Sequence, residues 1–329
     1  MRRISLILTL LAVVACSPEA GSTTTTGEVA TSTTALPGPT TTAAPDSSTT
    51  VADTGFPITV EAANGEVTIA ESPTRIVSLA PTATEMVFAI GAGEQVVAVD
   101  DFSNYPEEAP ITDLSGFEPN IEAIAAYEPD LVVVSDDIND VVASLAAIDI
   151  PVLHNPAAVT LDDTYAQIEL LGQATGHPDE SSALVASMRE EIDRLVGAVP
   201  ETPEAYTYYH ELDGSFFTVT SATFIGQLYD MAGLVNIADE AEGADTGYPQ
   251  LSAEFIIEAD PDLVFLADTK CCGESLETVA ARPGWDVMTA VTSGGVVELD
   301  DDIASRWGPR VVDHLEIIVE EVQGLAGGG

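Results

Sequence analysis

Two glutamates stand at equal distances before Pro-Asp pairs in the two halves of the chain. Glu122 precedes Pro129-Asp130 by seven residues, and Glu254 precedes Pro261-Asp262 by the same seven. A continuous apolar run follows each pair, which predicts a buried strand. The proline stops a short helix and the aspartate suits the turn, but neither role requires the glutamate. We therefore predict one carboxylate in each half, presented to a symmetrical partner; the alternative is two solvated helix residues.

Two adjacent cysteines, Cys271-Cys272, follow a predicted strand over residues 263–267. This position predicts that they lie at the mouth of a cleft. Adjacent thiols in an oxidising compartment tend to pair, so a vicinal disulfide is one interpretation. The pair would then staple its loop or form an apolar wall of the cleft. Inert small residues, or a metal or redox role, are the alternatives.

Sequence signatures of catalysis are missing from the chain. No nucleophile elbow, phosphate-binding loop, metal-ligand cluster or triad spacing occurs in it. The histidines are scattered and lack the spacing of metal ligands; they are His154, His177, His210 and His314. We therefore predict a protein that is not an enzyme and that has no cofactor and no metal site.

Residues 1–16 have the pattern of a lipoprotein signal peptide. Arg2 and Arg3 precede an apolar run over residues 4–15, and Cys16 follows directly. The run is shorter than the roughly 20 apolar residues of a transmembrane helix and suits a secretory signal. Val13-Val14-Ala15-Cys16 resembles the bacterial lipobox, in which the cysteine thiol carries lipid. We predict that Cys16 is lipidated and anchors the protein at the outer face of the cytoplasmic membrane.

Residues 17–56 are rich in Thr, Ser and Pro and contain almost no large apolar side chain. Such a segment buries too little surface to offset the entropy lost on ordering. We predict a disordered tether, which as a flexible coil would reach about 35 Å.

The formal net charge of −46 excludes nucleic acid as a partner, because phosphates require a basic protein face. Few cationic side chains follow the signal peptide: Arg75, Arg189, Arg194, Lys270, Arg282, Arg306 and Arg310. Acidity this general is typical of solubility in a salty habitat.

Strands and helices alternate in the rest of the chain. Strands are predicted at 75–80, 96–99, 131–135, 152–153, 205–209, 263–267 and 296–299. Helices are predicted at 82–90, 138–147, 161–175, 178–199, 224–232 and 309–322. Thr82 with Glu85 three residues later predicts a capping box for the first helix, and Gly91 predicts its end.

Apolar strands that alternate with amphipathic helices indicate parallel sheets covered on both faces. We predict an α/β protein with two Rossmann-like lobes, residues 57–160 and 201–325, and a ligand cleft between them. Residues 161–200 form a helical connection that includes a single long interlobe helix.

Residues 75–319 resemble the siderophore- and cobalamin-type periplasmic binding proteins of ABC importers. The matching stretches are 75–85, 91–93, 105–106, 116–117, 119–122, 129–132, 248–252 with Glu254, and 306–310. The resemblance is closest to the cobalamin-binding branch. It implies two α/β lobes, a rigid interlobe helix and a cleft that closes little around its ligand.

The resemblance implies that Glu122 and Glu254 pair with arginines of an ABC permease, which works with an ATPase. Charge pairs at the rim of an interface speed encounter and fix orientation more than they add affinity. The expected function is capture of a corrinoid or ferric siderophore by a monomeric binding protein that delivers it to the permease.

The resemblance also implies ligand contacts in loops beyond the carboxyl ends of strands, where open α/β sheets bind ligands. These residues are Phe102, Tyr105, Phe117, Phe216 or its neighbour Phe217, Tyr248, Asp302, Arg306 and Trp307. Aromatic walls suit a macrocycle or chelate. The cobalamin branch has tryptophans where Phe117 and Tyr248 stand. For Asp302 and Arg306 the alternative is a local ion pair at the terminal helix.

Two other functions are compatible with the same fold. One is a haem- or metal-binding surface protein, although haem binders of this family often have a tyrosine where Phe117 stands, and phenylalanine cannot ligate iron. The other is a sensor that binds the ligand without transport.

Overall fold

The computed structural model describes residues 55–327. The predicted signal peptide, Cys16 and nearly all of the predicted tether lie outside these residues. The strands are β1 (Ile58–Ala62), β2 (Gly65–Ile69), β3 (Ile76–Leu79), β4 (Val96–Asp100), β5 (Ile111–Leu114), β6 (Leu131–Val134), β7 (Val152–His154), β8 (Thr207–Glu211), β9 (Val235–Asn236), β10 (Leu263–Leu266) and β11 (Val296–Glu298). The helices are α1 (Pro81–Ala89), α2 (Ile121–Ala125), α3 (Val141–Ala146), α4 (Leu161–Thr175), α5 (Pro178–Gly197), α6 (Phe224–Met231), α7 (Ala253–Ala259), α8 (Thr269–Cys272), α9 (Leu276–Ala280), α10 (Thr289–Ser293), α11 (Asp301–Ser305) and α12 (Val311–Gly327).

The first lobe is built on a parallel sheet in the order β5-β4-β3-β6-β7. The chain starts in the middle with β3, moves outward to β5 and returns to the other side of β3 with β6. All residues of β3 and β6 are buried. In such a sheet the strand order reverses between β3 and β6, and the crevice beyond their carboxyl ends is the usual place for a ligand.

The second lobe contains a parallel sheet in the order β11-β10-β8-β9. Here the order reverses between β8 and β10, which pair in register from Leu263 opposite Tyr208. Two parallel sheets, each with its own reversal point, confirm the predicted α/β fold with two lobes. An antiparallel hairpin of β1 and β2 precedes the first lobe and packs against α4.

Two long helices connect the sheets. Helix α4 begins with a capping box of Thr160 and Asp163 and ends at Gly176, whose φ of 83° is left-handed. Helix α5 follows after His177 and has 20 residues, a length of about 30 Å at 1.5 Å per residue. Helix α4 packs on α1 and β1, whereas α5 packs on α12. The connection therefore touches both lobes, as the predicted interlobe helix requires.

One apolar core runs through both lobes. It joins Ile76 and Leu131 of the first sheet to Tyr208 and Phe265 of the second through the buried faces of α4, α5 and α12. The opposite face of each sheet has a separate cluster, around Val132 in the first lobe and around Trp285 in the second. The two lobes thus share packed side chains, which favours a fixed orientation.

The predicted capping box of the first helix is wrong. Helix α1 begins one residue earlier, with Pro81 in its first turn and Ala80 at the N-cap, and no side chain caps it. Proline suits the first helical position because its missing N–H would have no partner there. Thr82 is therefore buried inside the helix, and Glu85 is free to make other contacts. The predicted end is confirmed, since Gly91 has a left-handed φ of 85°.

No helix within residues 55–327 is both long enough and apolar enough to span a bilayer.

Candidate functional site

A cleft of about 400 Å³ lies beyond the carboxyl ends of β3, β4 and β6, where the strand order of the first sheet reverses. The segment after β11 closes its other side. Its lining residues are Leu79, Ala80, Pro81, Thr82, Asp100, Phe102, Gly116, Phe117, Ser135, Asp136, Ala157, Asp302, Ser305, Arg306 and Trp307. A side chain at Gly116 would bring a Cβ within 2.6 Å of the Leu79 carbonyl oxygen. Glycine is therefore needed to keep this wall close to the sheet.

Three aromatic side chains form the apolar part of the cleft. Phe102 and Phe117 meet edge to face, with ring centroids 5.5 Å apart, and remain 54% and 64% exposed. Trp307 is held by its indole Nε1, which donates to Gln167 Oε1 at 3.0 Å. Exposed rings that converge on a concave site are typical of a site for a flat apolar ligand.

Arg306 ties the segment after β11 to the first lobe. Its Nη1 donates to Glu85 Oε1 at 2.8 Å, and its Nη2 donates to the Phe102 carbonyl oxygen and to Asn104 Oδ1, each at 2.9 Å. The Asp302 carboxylate, one turn earlier, accepts from Nη2 at 2.7 Å. Arg306 is only 9% exposed. The predicted Asp302–Arg306 ion pair thus exists, and it is part of a larger contact between lobes.

Glu85 is the centre of this contact, and the sequence did not point to that role. It is 3% exposed, and Arg310 also binds it, through Nε to Oε2 at 2.9 Å and Nη2 to Oε1 at 2.6 Å. Asp302 in turn accepts from Asn104 and pairs with Lys270 at 3.1 Å. Burial alone would raise the pKa of Asp302, but the Asn104 hydrogen bond and the Arg306 charge hold it below its usual value.

Two further carboxylates line the cleft. Asp100, at the end of β4, is 2% exposed, and burial raises the pKa of its carboxyl group despite hydrogen bonds from Ser103 and Phe102. Asp136 follows β6 and is exposed. Both belong to the wall formed by the first lobe.

Three of the predicted ligand residues lie outside this lining. The Tyr105 ring lies 4.2 Å from the Arg310 guanidinium, beside a separate depression. Phe216 stacks on Trp285 at 5.8 Å in the second lobe. Tyr248 is 51% exposed, and the neighbouring Phe217 is also exposed. The structure therefore brings together Phe102, Phe117, Asp302, Arg306 and Trp307, and leaves the other three apart from the lining.

Glu122 and Glu254 occupy the same position in matching helices. Each is exposed and follows an N-cap residue by two positions. Asn120 accepts from the Ala123 N–H at the start of α2, and Ser252 accepts from the Phe255 N–H at the start of α7. The equal spacing in the sequence thus corresponds to equal local structure in the two lobes.

The Pro-Asp pairs that follow are also structurally matched. Asp130 accepts from the Thr74 and Arg75 N–H groups at 2.8 and 2.9 Å, before β3. Asp262 accepts from the Thr207 N–H at 2.8 Å, at the start of β8. Each aspartate therefore joins the start of its own strand to the neighbouring strand across the reversal point.

Comparison with known proteins assigns the chain to a family. Residues 76–303 match the family described as periplasmic binding protein. The chain belongs to this family. A cobalamin-binding protein of Halobacterium salinarum is 32% identical over 79% of this chain and 72% of its own length. An uncharacterised ABC transporter substrate-binding lipoprotein, YvrC of Bacillus subtilis, is 29% identical over 81% of this chain and 86% of its own length.

A solved structure has the same fold. The periplasmic vitamin B12 binding protein BtuF of Vibrio cholerae superimposes with a TM-score of 0.62 at 24% identity, over 77% of this chain and 97% of BtuF. The family match and the cobalamin-binding relative confirm the predicted resemblance, and the family and its relatives are solute-binding proteins.

In this periplasmic binding protein the sulfurs of Cys271 and Cys272 are bonded to each other. Both cysteines are exposed in α8 and are not part of the cleft lining. Asp301 caps this helix, since its carboxylate accepts from the Lys270 and Cys271 N–H groups at 3.0 and 2.8 Å. Helix α8 is thus held against the acidic segment that borders the cleft.

The second lobe of the binding protein has a buried charged cluster that the sequence did not predict. Arg282 binds both oxygens of buried Glu211, at 2.6 and 2.7 Å, and also Glu274 at 2.8 Å. Asp268 lies beside them, fully buried, and neither of its carboxylate oxygens has a hydrogen-bond partner. Burial, followed by the charges of Glu211 and Glu274, raises the pKa of Asp268 to about 7. No pattern around these residues in the sequence signals their burial.

Two of the four histidines are buried in the core. His210 Nδ1 lies 2.7 Å from the Tyr229 hydroxyl, which is 3.5 Å from His314 Nε2. Burial, with a smaller effect of His314, lowers the pKa of His210 to about 3, and burial lowers that of His314 to about 4. Within residues 55–327, no group of three or more His, Cys, Asp or Glu side chains is placed to hold a metal ion.

Proposed function

We propose that this protein captures a corrinoid outside the cytoplasmic membrane and delivers it to an ABC permease and its ATPase. The observation that supports the ligand class is the exposed pair of rings Phe102 and Phe117, which lines the same cleft as Trp307. Burial of apolar surface contributes about 25 cal/mol per Å², so a large flat ligand gains most from such walls. The cobalamin-binding relative supports the same class. A ferric siderophore is the second candidate from the sequence.

Binding in this proposal is non-catalytic. The family and its relatives bind solutes, and the Arg306–Asp302 pair of the cleft takes part in the contact between the lobes. The ligand is proposed to lie between the lobes, with Phe102 and Phe117 as contacts from the first lobe and Trp307 as a contact from the segment after β11. Tyr105, Phe216 and Tyr248 stay predicted contacts for a ligand that extends beyond this lining.

Docking to the permease is proposed to use Glu122 and Glu254. Both are exposed, and both stand at the start of a helix in equivalent units of the two lobes. A pseudo-symmetric pair of carboxylates fits a permease that presents one basic side chain to each lobe. Such rim charges set orientation and the rate of encounter.

The proposed location is the outer face of the cytoplasmic membrane, with lipid on Cys16 as the anchor and residues 17–56 as the tether. The lipobox pattern of Val13-Val14-Ala15-Cys16 and the lipoprotein relative support this location. The protein is proposed to act as a monomer.

Uptake by the host tests the function. Deletion of the gene should abolish accumulation of radiolabelled cobalamin from a nanomolar external supply, and the wild-type gene should restore it. The Cys16→Ser gene should restore it poorly, because the protein would leave the membrane or stay unprocessed. Normal cobalamin uptake by the deletion strain, with loss of ferric siderophore uptake instead, would favour the second candidate.

A further inference from the structure

We propose that the cleft selects its ligand by charge, and that Glu85 sets this preference by removing Arg306 from contact with anions. The cleft would favour a cationic or neutral chelate over an anionic one. This inference rests on the proposed capture of a small ligand in the cleft, and it adds the class of ligand and the residue that determines it.

Among residues 55–327, Arg306 is the only cationic group that lines the cleft, and the protein itself supplies its partners. Arg306 lines it together with three carboxylates. Its terminal nitrogens face four acceptors, from Glu85, Phe102, Asn104 and Asp302, all within 2.9 Å. Three of these four acceptors surround Nη2, and the carboxylates of Glu85 and Asp302 neutralise the charge of the guanidinium. An anion that approached Arg306 would therefore also approach these two carboxylates.

The charges of this network balance each other. Three cationic groups, Arg306, Arg310 and Lys270, pair with three carboxylates, Glu85, Asp300 and Asp302. The network as a whole therefore offers a ligand no net charge.

The remaining charges of the lining are negative. Asp100 and Asp136 line the cleft without belonging to the network. Burial raises the pKa of Asp100. Asp136 is exposed. No side chain or backbone group within residues 55–327 donates a hydrogen bond to the Asp136 carboxylate. A ligand in the cleft thus meets at least one carboxylate without a counter-charge. Opposite charges attract most strongly where low-dielectric walls focus the field, so a cationic centre is favoured there.

Glu85 is the residue whose charge decides the balance. It neutralises two guanidiniums at once, because Arg306 and Arg310 both bind its buried carboxylate. Glu85→Gln keeps the shape and one acceptor oxygen but removes the negative charge. The network then carries one excess positive charge at the wall of the cleft, and the preference should shift toward anions.

A matched pair of corrinoids tests this proposal. Aquocyanocobinamide carries one positive charge and dicyanocobinamide is neutral, on the same macrocycle; a ferric tris-catecholate serves as the anion. Affinities are measured by calorimetry at low salt for the wild type, Glu85→Gln and Asp136→Asn. Asp179→Asn, an exposed aspartate at the start of α5, is the control. The quantity compared is the ratio of the cation and neutral affinities, because an effect of a variant on cleft shape cancels in it.

The wild type should prefer the cation about tenfold, equivalent to about 1.4 kcal/mol, and bind the tris-catecholate weakest. Asp136→Asn should reduce the cation preference about fivefold. Glu85→Gln should abolish the cation preference and strengthen binding of the tris-catecholate. Asp179→Asn should change neither the cation preference nor the tris-catecholate affinity. An unchanged ratio in both cleft variants, or tightest binding of the tris-catecholate by the wild type, would overturn the proposal. If Glu85→Gln fails to fold, Asp136→Asn decides alone. Failure of the wild type to bind any of the three ligands would instead contradict the proposed function.

Discussion

Glu122 and Glu254 are single residues whose positions were predicted from spacing alone. The structure gives them equivalent surroundings, since each lies in the first turn of a short helix, exposed, behind a side chain that caps that turn. Within residues 55–327, neither carboxylate forms a hydrogen bond or an ion pair, so the fold does not depend on them. Two surface charges at equivalent positions of the two lobes are well suited to a partner that contacts both lobes at the same time.

Removal of both carboxylates should separate transport from binding. Glu122→Ala with Glu254→Ala should abolish ligand uptake by cells while the affinity of the purified protein stays within about threefold of wild type. Reversal of one charge to Arg should be worse than its removal, because like charges across an interface repel. The control is Glu94→Ala with Glu277→Ala, a pair of exposed glutamates outside α2 and α7. Normal uptake by the double alanine variant would show that the glutamates are ordinary surface residues.

The aromatic residues of the cleft make a separate prediction. Phe117→Ala should weaken corrinoid binding by about 1–3 kcal/mol, because most of the ring is exposed to the cleft and available for burial. Val287→Ala, also exposed but in the second lobe, should leave the affinity unchanged. Tyr248→Ala is informative in a different way, since it should weaken binding only if the ligand reaches the second lobe. Equal affinities of Phe117→Ala and wild type in calorimetry would remove Phe117 from the site.

Glu85 shows what residue types and spacing could not reveal. Its place three residues after Thr82 predicted a capping role, yet its partners Arg306 and Arg310 lie 221 and 225 residues further along the chain. Contacts at such separations depend on how the two lobes meet, which no local pattern encodes. The Glu211–Arg282 pair lies within the second lobe, but its residues are 71 positions apart, so no local pattern revealed it either.

At the level of elements, the strand that follows each Pro-Asp pair is the best predicted part of the fold. Strands β6 and β10 are apolar throughout and wholly buried. A short continuous apolar run of this kind predicts a buried strand. Strands β1, β2, β5 and β9 were not predicted. Strand β5 is mostly exposed, and β9 has only two residues, so neither carries a clear apolar period. The strand order could not be read from the sequence, because it depends on pairing between distant segments.

The hydrogen bonds of the two aspartates should stabilise these elements. Asp130→Ala and Asp262→Ala should each lower the free energy of unfolding by about 1–3 kcal/mol, because backbone N–H groups at the start of β3 and β8 lose charged acceptors. Urea denaturation measures this change. Asp286→Ala, at an exposed aspartate outside the sheets, is the matched control. A loss no larger than that of the control would mean that solvent replaces these hydrogen bonds without penalty.

The whole molecule combines a shared core with a charged contact between lobes. The core passes through α4, α5 and α12, and Glu85 of α1 binds the two arginines that flank Trp307. Both features oppose a large change in the angle between lobes. The small closure that the family resemblance implied from the sequence stays a prediction, and these two features are the physical reason to expect it.

The buried histidines should make the whole fold sensitive to acid. The unfolded chain takes up protons on histidine near pH 6.5, whereas the folded chain keeps His314 and His210 neutral down to about 4 and 3. Their contribution to stability is therefore fully present above pH 6.5 and falls as the pH drops from 6.5 toward 4 and below. His314→Gln should reduce the slope of unfolding free energy against pH by up to about 1.4 kcal/mol per unit. Equal slopes for His314→Gln and the wild type would contradict this origin.

Capture of a corrinoid between the lobes is tested most directly by the fluorescence of Trp307. The chain has two tryptophans, so Trp285→Phe leaves Trp307 as the only one, at the wall of the cleft. Titration of this variant with cyanocobalamin should give saturable quenching with a dissociation constant between nanomolar and micromolar. Trp307→Phe keeps only the core residue Trp285. The fluorescence loss of this variant measures the light that the corrinoid itself absorbs, and it is subtracted from the loss of Trp285→Phe. A fluorescence loss that is linear and identical in the two variants, with no saturation, would contradict corrinoid binding at this cleft.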